Sequence, residues 1–321
     1  MEDPFAHALI LTGPTACGKS ALALDLSERL GLEIVAMDSM TLYRGMDIGT
    51  AKPSRAERER VPHHLIDVLD PWESANVAWW LDRAAEACRG IVTRGKRPLF
   101  VGGTPFYLKS LLHGLFDSPP ADESLRKQLE AEPREELHAR LAVVDPRTAA
   151  RLHLNDVRRV VRALEIHTLT GRPISEWQQT WDSPAFAESP DEAPPGRMIP
   201  CVRLDLPREM LYERIDRRVN QMFAEGFLDE VQSLRALPRP LSRESRQALG
   251  YRELLAHLDG DGTTLGECIT LIQTHTRQFA KRQLTWFRKL TGCLSCSMDE
   301  PDLASRVQAL WRSFDPSASR S

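Results

Sequence analysis

The sequence has no apolar run approaching the ~18 residues that a membrane-spanning helix needs. No basic segment leads into a signal-like apolar stretch either, so the expected setting is the cytosol, with no membrane partner and with reduced thiols. Metal-site spacing is equally scarce. The six cysteines are scattered, and Cys293-Leu-Ser-Cys296 lacks the second CxxC of a zinc site, so it reads as a pair of small residues at a strand end. His63-His64 offers metal-ligand residue types without further ligands nearby and reads as structural. Charge of one sign is lacking too: 42 Lys and Arg against 45 Asp and Glu give a formal net charge of -3. Net charge therefore announces no nucleic-acid partner. A local basic face could still meet one, because counterion release depends on the charges at the interface. The sequence shows no internal repeat.

What is present is an ordinary globular composition, 42% hydrophobic and 27% charged over 321 residues, enough for about two domains or one core with an insertion. His7-Ala-Leu-Ile-Leu-Thr12 reads as a buried strand, and the periodicity from Ser20 predicts a helix stopped by Gly31. Glu33–Met37 reads as a second strand that delivers Asp38. A helix around 74–94 then leads to a third strand, Pro98–Val101, ending at Gly102-Gly103-Thr104. Strands alternating with helices predict an α/β fold of the P-loop type, a parallel sheet covered on both faces, with ligands beyond the strand C-termini.

From Asp117 the pattern changes. Residues 122–181 read as successive short helices, Glu123–Ala131, Arg134–Val143, Arg147–Leu152, Asp156–Thr170 and Ile174–Thr180, before a Pro-, Ser- and acid-rich loop over 182–200. Met198–Leu204 resumes a strand pattern, and a long amphipathic helix begins at Pro207. Helices at 247–258 and 264–290, a strand near 293–298 and a last helix complete the reading. The expected organisation is a core in two parts, 1–116 and 201–314, an all-helical insertion over 117–200, and a disordered tail at 315–321.

Gly13-Pro14-Thr15-Ala16-Cys17-Gly18-Lys19-Ser20 fits GxxxxGK[ST] and lies between an apolar strand and an amphipathic helix, the context that gives the motif meaning. Glycines let backbone N–H groups turn inward as an anion nest, and the helix N-terminus adds positive potential. Lys19 brings a full charge to phosphate oxygens, and the Ser20 hydroxyl suits Mg2+. Read alone, the loop suggests ATP and phosphoryl transfer. Against hydrolysis stands the third strand, which runs into Gly102-Gly103-Thr104 with no carboxylate to hold metal and water. Asp38 is then the conspicuous acid: a general base, a ligand through magnesium-bound water, or a helix cap for the segment after it. Trp79-Trp80, Trp177 and Trp181 read as packing residues. Arg277, Lys281 and Arg288 share one helical face, with Phe279, Trp286 and Leu290 on another that can pack inward.

The block Asp38-Ser-Met-Thr-Leu-Tyr-Arg-Gly-Met-Asp-Ile-Gly-Thr-Ala-Lys-Pro53, with Gly13–Ser20 and Val101-Gly-Gly-Thr104, closely resembles the tRNA dimethylallyltransferases. Further matches are Pro62-His-His-Leu-Ile-Asp67, His153–Glu165, Gly250-Tyr-Arg252 and Arg277–Arg288, so the likeness runs over roughly residues 7–290, and the bacterial form fits best. The resemblance implies transfer of a dimethylallyl group from dimethylallyl diphosphate to the exocyclic amine of the adenine 3′ of the tRNA anticodon. It implies that Gly13, Pro14, Thr15, Ala16, Cys17, Gly18, Lys19, Ser20 and Arg218 hold the diphosphate, with Thr104 on the leaving oxygen and Asp38 as base.

It also implies tRNA contacts by Asp38, Ser39, Met40, Thr41, Thr104 and Arg126, and by Arg158, Arg159, Val160, Val161 and Arg162, whose arginines spread over more than one face. Further contacts fall to Gln247, Ala248, Leu249, Gly250, Tyr251 and Arg252, and to Lys281, Arg282, Gln283, Leu284, Thr285, Trp286, Phe287 and Arg288. A monomer is expected. Cys17 stands where the family usually has serine or another small residue, and a thiol at a helix N-terminus is expected to make the site sensitive to alkylation. A P-loop small-molecule kinase shares the loop but not the 38–53 block. A non-catalytic RNA-binding P-loop protein is the third reading.

Overall fold

A strand buried on both faces must pair its backbone polar groups with neighbouring strands, which is why near-continuous apolar runs form parallel sheets. In the computed structural model, which describes residues 3–115, 119–177, 197–290 and 292–314, β1 (Leu9–Thr12) and β2 (Leu32–Ala36) are buried throughout. They join β3 (His63–His64), β4 (Arg97–Gly102), β5 (Cys201–Asp205) and β6 (Leu294–Ser297) in a six-stranded sheet of order β3-β2-β4-β1-β5-β6. Every pairing is parallel. β3 is not legible in the sequence, because two residues carry no period; it makes the Pro98–Val101 run the fourth strand rather than the third. The histidines are structural: His64 Nε2 lies 2.7 Å from Glu33, and His63 Nδ1 lies 2.7 Å from the Val61 carbonyl.

Helices α1 (Lys19–Leu30), α2 (Arg55–Arg60), α3 (Val77–Thr93) and α4 (Pro105–His113) separate these strands. The buried face of α3 carries Trp80, Ala84, Cys88 and Ile91, a helical stripe. Trp80 donates its indole N–H to the Ala36 carbonyl at 3.1 Å and stacks on Tyr107 with centroids 4.5 Å apart. It is a packing residue, as expected, while Trp79 is half-buried and Trp181 lies outside the described residues.

After β5 come α10 (Arg208–Ala224), α11 (Phe227–Arg235), α12 (Arg243–Arg246), α13 (Tyr251–Leu258) and α14 (Leu265–Phe287); α15 (Leu303–Arg312) comes after β6. The long 38–53 block is held by two networks, one around the buried Lys52 amine and one around the half-buried Glu230. Lys52 Nζ reaches the Tyr43 carbonyl at 2.7 Å and both Asp47 and Asp67 at 2.6 Å. Glu230 accepts the backbone N–H groups of Asp47, Ile48 and Gly49, and Gly49 has no room for a Cβ beside the Phe227 and Tyr251 rings.

Chain contacts divide the molecule into residues 1–112 with 197–321, and residues 113–196. The second unit holds α5 (Glu123–Glu130), α6 (Arg134–Val144), α7 (Pro146–Arg151), α8 (Val157–Thr170) and α9 (Ile174–Trp177), with no strand among its described residues. Leu129, Leu137, Leu141, Val160 and Leu164 form its own apolar core. The expected loop from 182 to 196 and the tail at 315–321 lie outside the described residues, as do 178–180.

The expectation of reduced thiols is corrected at one place. Cys201, opening β5, is disulfide-bonded to Cys293, just before β6, across a separation of 92 residues. Adjacent strand ends bring them together, with Cα atoms 4.6 Å apart, a juxtaposition that sequence spacing could not reveal. Cys293 and Cys296 are thus not a pair. Among the described residues no helix is long and apolar enough to cross a membrane.

Candidate active site

Three neighbouring strands deliver the site. The phosphate loop comes after β1, Asp38 after β2, and Gly103-Thr104 after β4, so adjacency in the order β2-β4-β1 gathers segments far apart in sequence. The approach of β2 and β4 is close. Met37 N–H donates to the Val101 carbonyl at 2.8 Å, and a Cβ on Gly102 would run into the Met37 backbone.

The loop owes its shape to positive φ at Ala16 (62°) and Gly18 (101°), just before α1. At Gly13 a Cβ would meet Cys17 Sγ and the Leu204 carbonyl, each at 2.9 Å, so only glycine fits. Lys19 Nζ turns back over the loop to the Pro14 carbonyl at 3.2 Å. From α10, Arg214 reaches the Cys17 carbonyl at 3.3 Å and Arg218 the Thr15 hydroxyl at 3.4 Å. Among the described residues none of these three cations forms an ion pair with a carboxylate. Burial pulls the Arg218 pKa below the usual guanidinium value, while the negative charge of Asp38 opposes that shift.

Asp38 Oδ1 accepts the backbone N–H of Met40 at 2.8 Å and of Thr41 at 3.4 Å, which ties down a turn; the helix it was expected to cap is not formed, since the chain after it runs in bends and turns. Its Oδ2 has no hydrogen bond among the described residues and is free for other work. Thr104 is half-buried at the start of α4, and its carbonyl accepts Leu108 N–H at 3.2 Å. Beside the loop opens a cavity of about 750 Å³ lined by Gly18, Lys19, Ser20, Lys52, Arg58, Arg214 and Arg218. Asp38 and Thr104 are not among its lining residues.

Two loop expectations change. Cys17 is fully buried in the sheet–helix core, so the folded protein shields the thiol from alkylation. Arg214 and Gln283 join the loop without being part of its motif. Arg214 sits one turn before Arg218 on the same helix, a spacing that marks a shared face. Gln283, 3% exposed, accepts Thr15 N–H at 2.9 Å and donates to the Gly103 carbonyl at 2.7 Å. It is the polar residue on a buried stripe, Cys268, Ile272, Ala280, Gln283 and Phe287, and that anomaly is the signal the sequence offers.

Contiguous runs expected at tRNA cannot all face a partner, because a packed helix shows only one side. In α8, Arg158 and Arg159 are exposed, whereas Val160 and Val161 are buried and support the helix from within. Arg126 and Arg162 both engage the buried Glu165. Burial alone would raise the Glu165 pKa, but hydrogen bonds from Arg162 and Arg126 and the Asp122 N–H outweigh it and hold it low. Ser39 and Met40 are half-buried and Thr41 is buried.

Gln247 and Arg252 are exposed and Leu249 half-buried, but Ala248, Gly250 and Tyr251 are buried. Arg252 is paired with Glu253, and Tyr251 donates to Glu230 at 2.6 Å. On α14, Lys281, Arg282 and Thr285 are exposed, as is Arg288 at its C-cap; Leu284 is half-buried, and Gln283 and Phe287 are buried. Trp286 does not pack inward as expected. It is half-buried and, with Gln278, Lys281, Arg282, Thr285 and Lys289, lines a groove of about 540 Å³. Arg277 is paired with Asp216 and is absent from that groove.

The sequence matches the IPP transferase family over residues 41–290 and the Isopentenyl transferase family over 6–67. It is 48% identical to the tRNA dimethylallyltransferase of Geobacter metallireducens, covering 90% of this chain and 91% of that one. The tRNA dimethylallyltransferase of Rhodopirellula baltica is 44% identical, with 95% and 93% covered. The fold is similar to the crystal structure of the full-length tRNA isopentenylpyrophosphate transferase of Bacillus halodurans, with a TM-score of 0.67, 38% identity and coverage of 96% and 95%. It is also similar to a eukaryotic dimethylallyltransferase acting on tRNA, with a TM-score of 0.75, 28% identity and coverage of 98% and 80%. A parallel sheet with a phosphate loop at the C-terminal end of β1, and with Lys19, Arg214 and Arg218 on that loop, defines the class, a P-loop α/β protein. Within that class the chain belongs to the IPP transferase family, that of the tRNA dimethylallyltransferases.

Proposed function

We propose that the enzyme transfers the dimethylallyl group of dimethylallyl diphosphate to the exocyclic amine of the adenine 3′ of the anticodon in tRNA. The observation that carries this reading is the convergence of Lys19, Arg214 and Arg218 on the phosphate loop, with no carboxylate among the described residues in ion-pair contact with them and only the charge of Asp38 acting on Arg218 from further off. Such charge awaits an anion. In the transfer, the adenine nitrogen attacks the allylic carbon, the carbon–oxygen bond breaks, and its electrons leave on the diphosphate. Loop N–H groups, Lys19 and the two arginines stabilise that growing charge. Asp38 Oδ2, free of hydrogen bonds among the described residues, takes the amine proton. The Thr104 hydroxyl has no hydrogen-bond partner among the described residues and sits past the end of β4, where it is suited to the leaving oxygen.

The donor set also suits magnesium. Ser20 lines the cavity beside Lys19, and its hydroxyl has no hydrogen bond among the described residues. Those residues contain no group of three or more His, Cys, Asp or Glu that would cage an ion, so the fit is to an ion carried on the diphosphate. Its chemistry there would be neutralisation of leaving-group charge.

A base in an anticodon loop must leave its stack to reach such a site. On the core, the exposed Lys281, Arg282, Thr285 and Arg288 and the groove with Trp286 offer cationic and stacking groups to RNA; on the helical unit, Arg158 and Arg159 offer exposed cations. We propose that the enzyme works as a monomer in the cytosol with its tRNA. The kinase alternative is disfavoured by the end of β4, where no carboxylate comes after Gly102. Incubation with labelled dimethylallyl diphosphate, ATP and unmodified tRNA tests the proposal. Label entering tRNA without ATP consumption is expected; phosphate moving from ATP to a small acceptor would sink it.

A further inference from the structure

An amide side chain is buried only where its polar atoms are paired, and Gln283 pairs both of its ends with functional loops. Its Oε1 accepts Thr15 N–H at 2.9 Å, and its Nε2 donates to the Gly103 carbonyl at 2.7 Å. These contacts define the amide orientation: turned over, its NH2 would meet an N–H and its oxygen a carbonyl. The junction is tight. A Cβ on Gly103 would lie 2.7 Å from Gln283 Nε2 and 2.8 Å from the Gly13 carbonyl. The phosphate loop, the turn before α4 and the C-terminal part of α14 thus meet at one side chain. Thr104 is the next residue after Gly103, and Lys19 is four beyond Thr15.

We propose that Gln283 is a positioning residue of the transfer, locking the phosphate loop to the Gly103-Thr104 turn so that the departing diphosphate and the Thr104 hydroxyl stay in register. It does so without touching RNA, since its side chain faces away from the exposed Lys281 and Arg282 beside it. Thr15 N–H is already taken by this clamp and Cys17 N–H by the Pro14 carbonyl at 3.4 Å, which leaves the N–H groups of Ala16, Gly18, Lys19 and Ser20 to the anion. The inference rests on the diphosphate reading and adds the element that aligns it.

Gln283→Met keeps most of the volume and removes both hydrogen bonds. Gln283→Glu keeps the acceptor for Thr15 but donates to Gly103 only when its carboxyl is protonated. Single-turnover transfer, affinity for an anticodon stem-loop RNA and hydrogen exchange of the full chain are the readouts. Gln283→Met is expected to slow transfer about tenfold while RNA affinity stays within about twofold. The Gln283→Glu rate, divided by that of the wild type, is expected to climb as pH falls from about 8 to about 6, because burial returns the proton to the carboxyl against the opposing charge of Lys19, whose Nζ would lie 3.6 Å from a Cβ on Gly103. This pH arm stands alone should Gln283→Met fail to fold. Wild-type transfer by Gln283→Met, equal losses of rate and RNA affinity, or a pH-independent Gln283→Glu ratio would overturn the proposal. Lys19→Ala, run alongside, separates the two readings. If it transfers normally the diphosphate site is wrong; if it is inactive while Gln283→Met is normal, only the clamp is wrong.

Discussion

Two sets of arginines in this enzyme are half-buried and have opposite fates. On the helical unit, Arg126 and Arg162 close on Glu165, a fully buried carboxylate, and the cluster holds α5 to α8. On the core, Arg214 and Arg218 point at a carbonyl and a hydroxyl of the phosphate loop and form no ion pair with a carboxylate among the described residues. The pKa shifts agree. Burial would raise Glu165, but its two arginines hold it below the usual carboxylate range, whereas burial lowers Arg218 with Asp38 opposing. A cation with its acid beside it belongs to the fold. A cation desolvated without one stores an unmet demand for negative charge, which a ligand can supply.

The comparison breaks hardest at the loop. Asp38→Ala is expected to cut the single-turnover transfer rate by about 10²- to 10⁴-fold with little change in tRNA affinity; equal loss of both would make Asp38 a binding residue. Next, Arg218→Ala should weaken affinity for inorganic diphosphate by about 10²-fold and leave the melting temperature nearly unchanged. A large fall in melting temperature with normal diphosphate binding would erase the distinction between the two arginine sets.

Glu165→Gln should do the reverse, destabilising the helical unit by about 2 kcal/mol with the core site intact. Hydrogen exchange over residues 123–170 of the full chain measures it. The pH dependence has a definite sign. Because the folded-state pKa of Glu165 is lowered, its stabilisation is complete above the ordinary carboxylate range and is lost as pH falls through the lowered value. Protection of 123–170 should therefore drop on acidification in the wild type and change less in Glu165→Gln. Smallest is Arg158→Ala, an exposed residue, expected to weaken tRNA binding about threefold and to reduce the salt dependence by about one phosphate contact. A salt dependence identical to that of the wild type would remove Arg158 from the RNA surface.

Much of the rim could be read from the chain because its information is local. Gly13–Ser20 carries its own turn chemistry, and the apolar runs before Gly13, Asp38 and Gly102 put each functional residue at a strand end. What escaped was information spread across the fold. Cys201 and Cys293 meet only because β5 and β6 are neighbours. His63–His64 becomes a strand through β2, with no period of its own. Gln283 lies inside a run whose likeness to a family suggests RNA contact, and burial assigns its side chain to the loop. The same holds for Arg126 and Arg162: residue type suggests phosphate, and only the position of Glu165 could show that their charge is already spoken for.

The seam where the core chain is interrupted has a consequence for engineering and ancestry. Arg197 N–H donates to the Leu112 carbonyl at 2.8 Å, and its guanidinium reaches the Leu111 carbonyl at 2.9 Å. The two lips of the interruption are thus already stitched together. Everything between them could be exchanged as a cassette, and a short linker from Leu112 to Arg197 should leave the sheet and phosphate loop assembled. A lineage could in this way exchange the helical unit without reopening the phosphate-loop core.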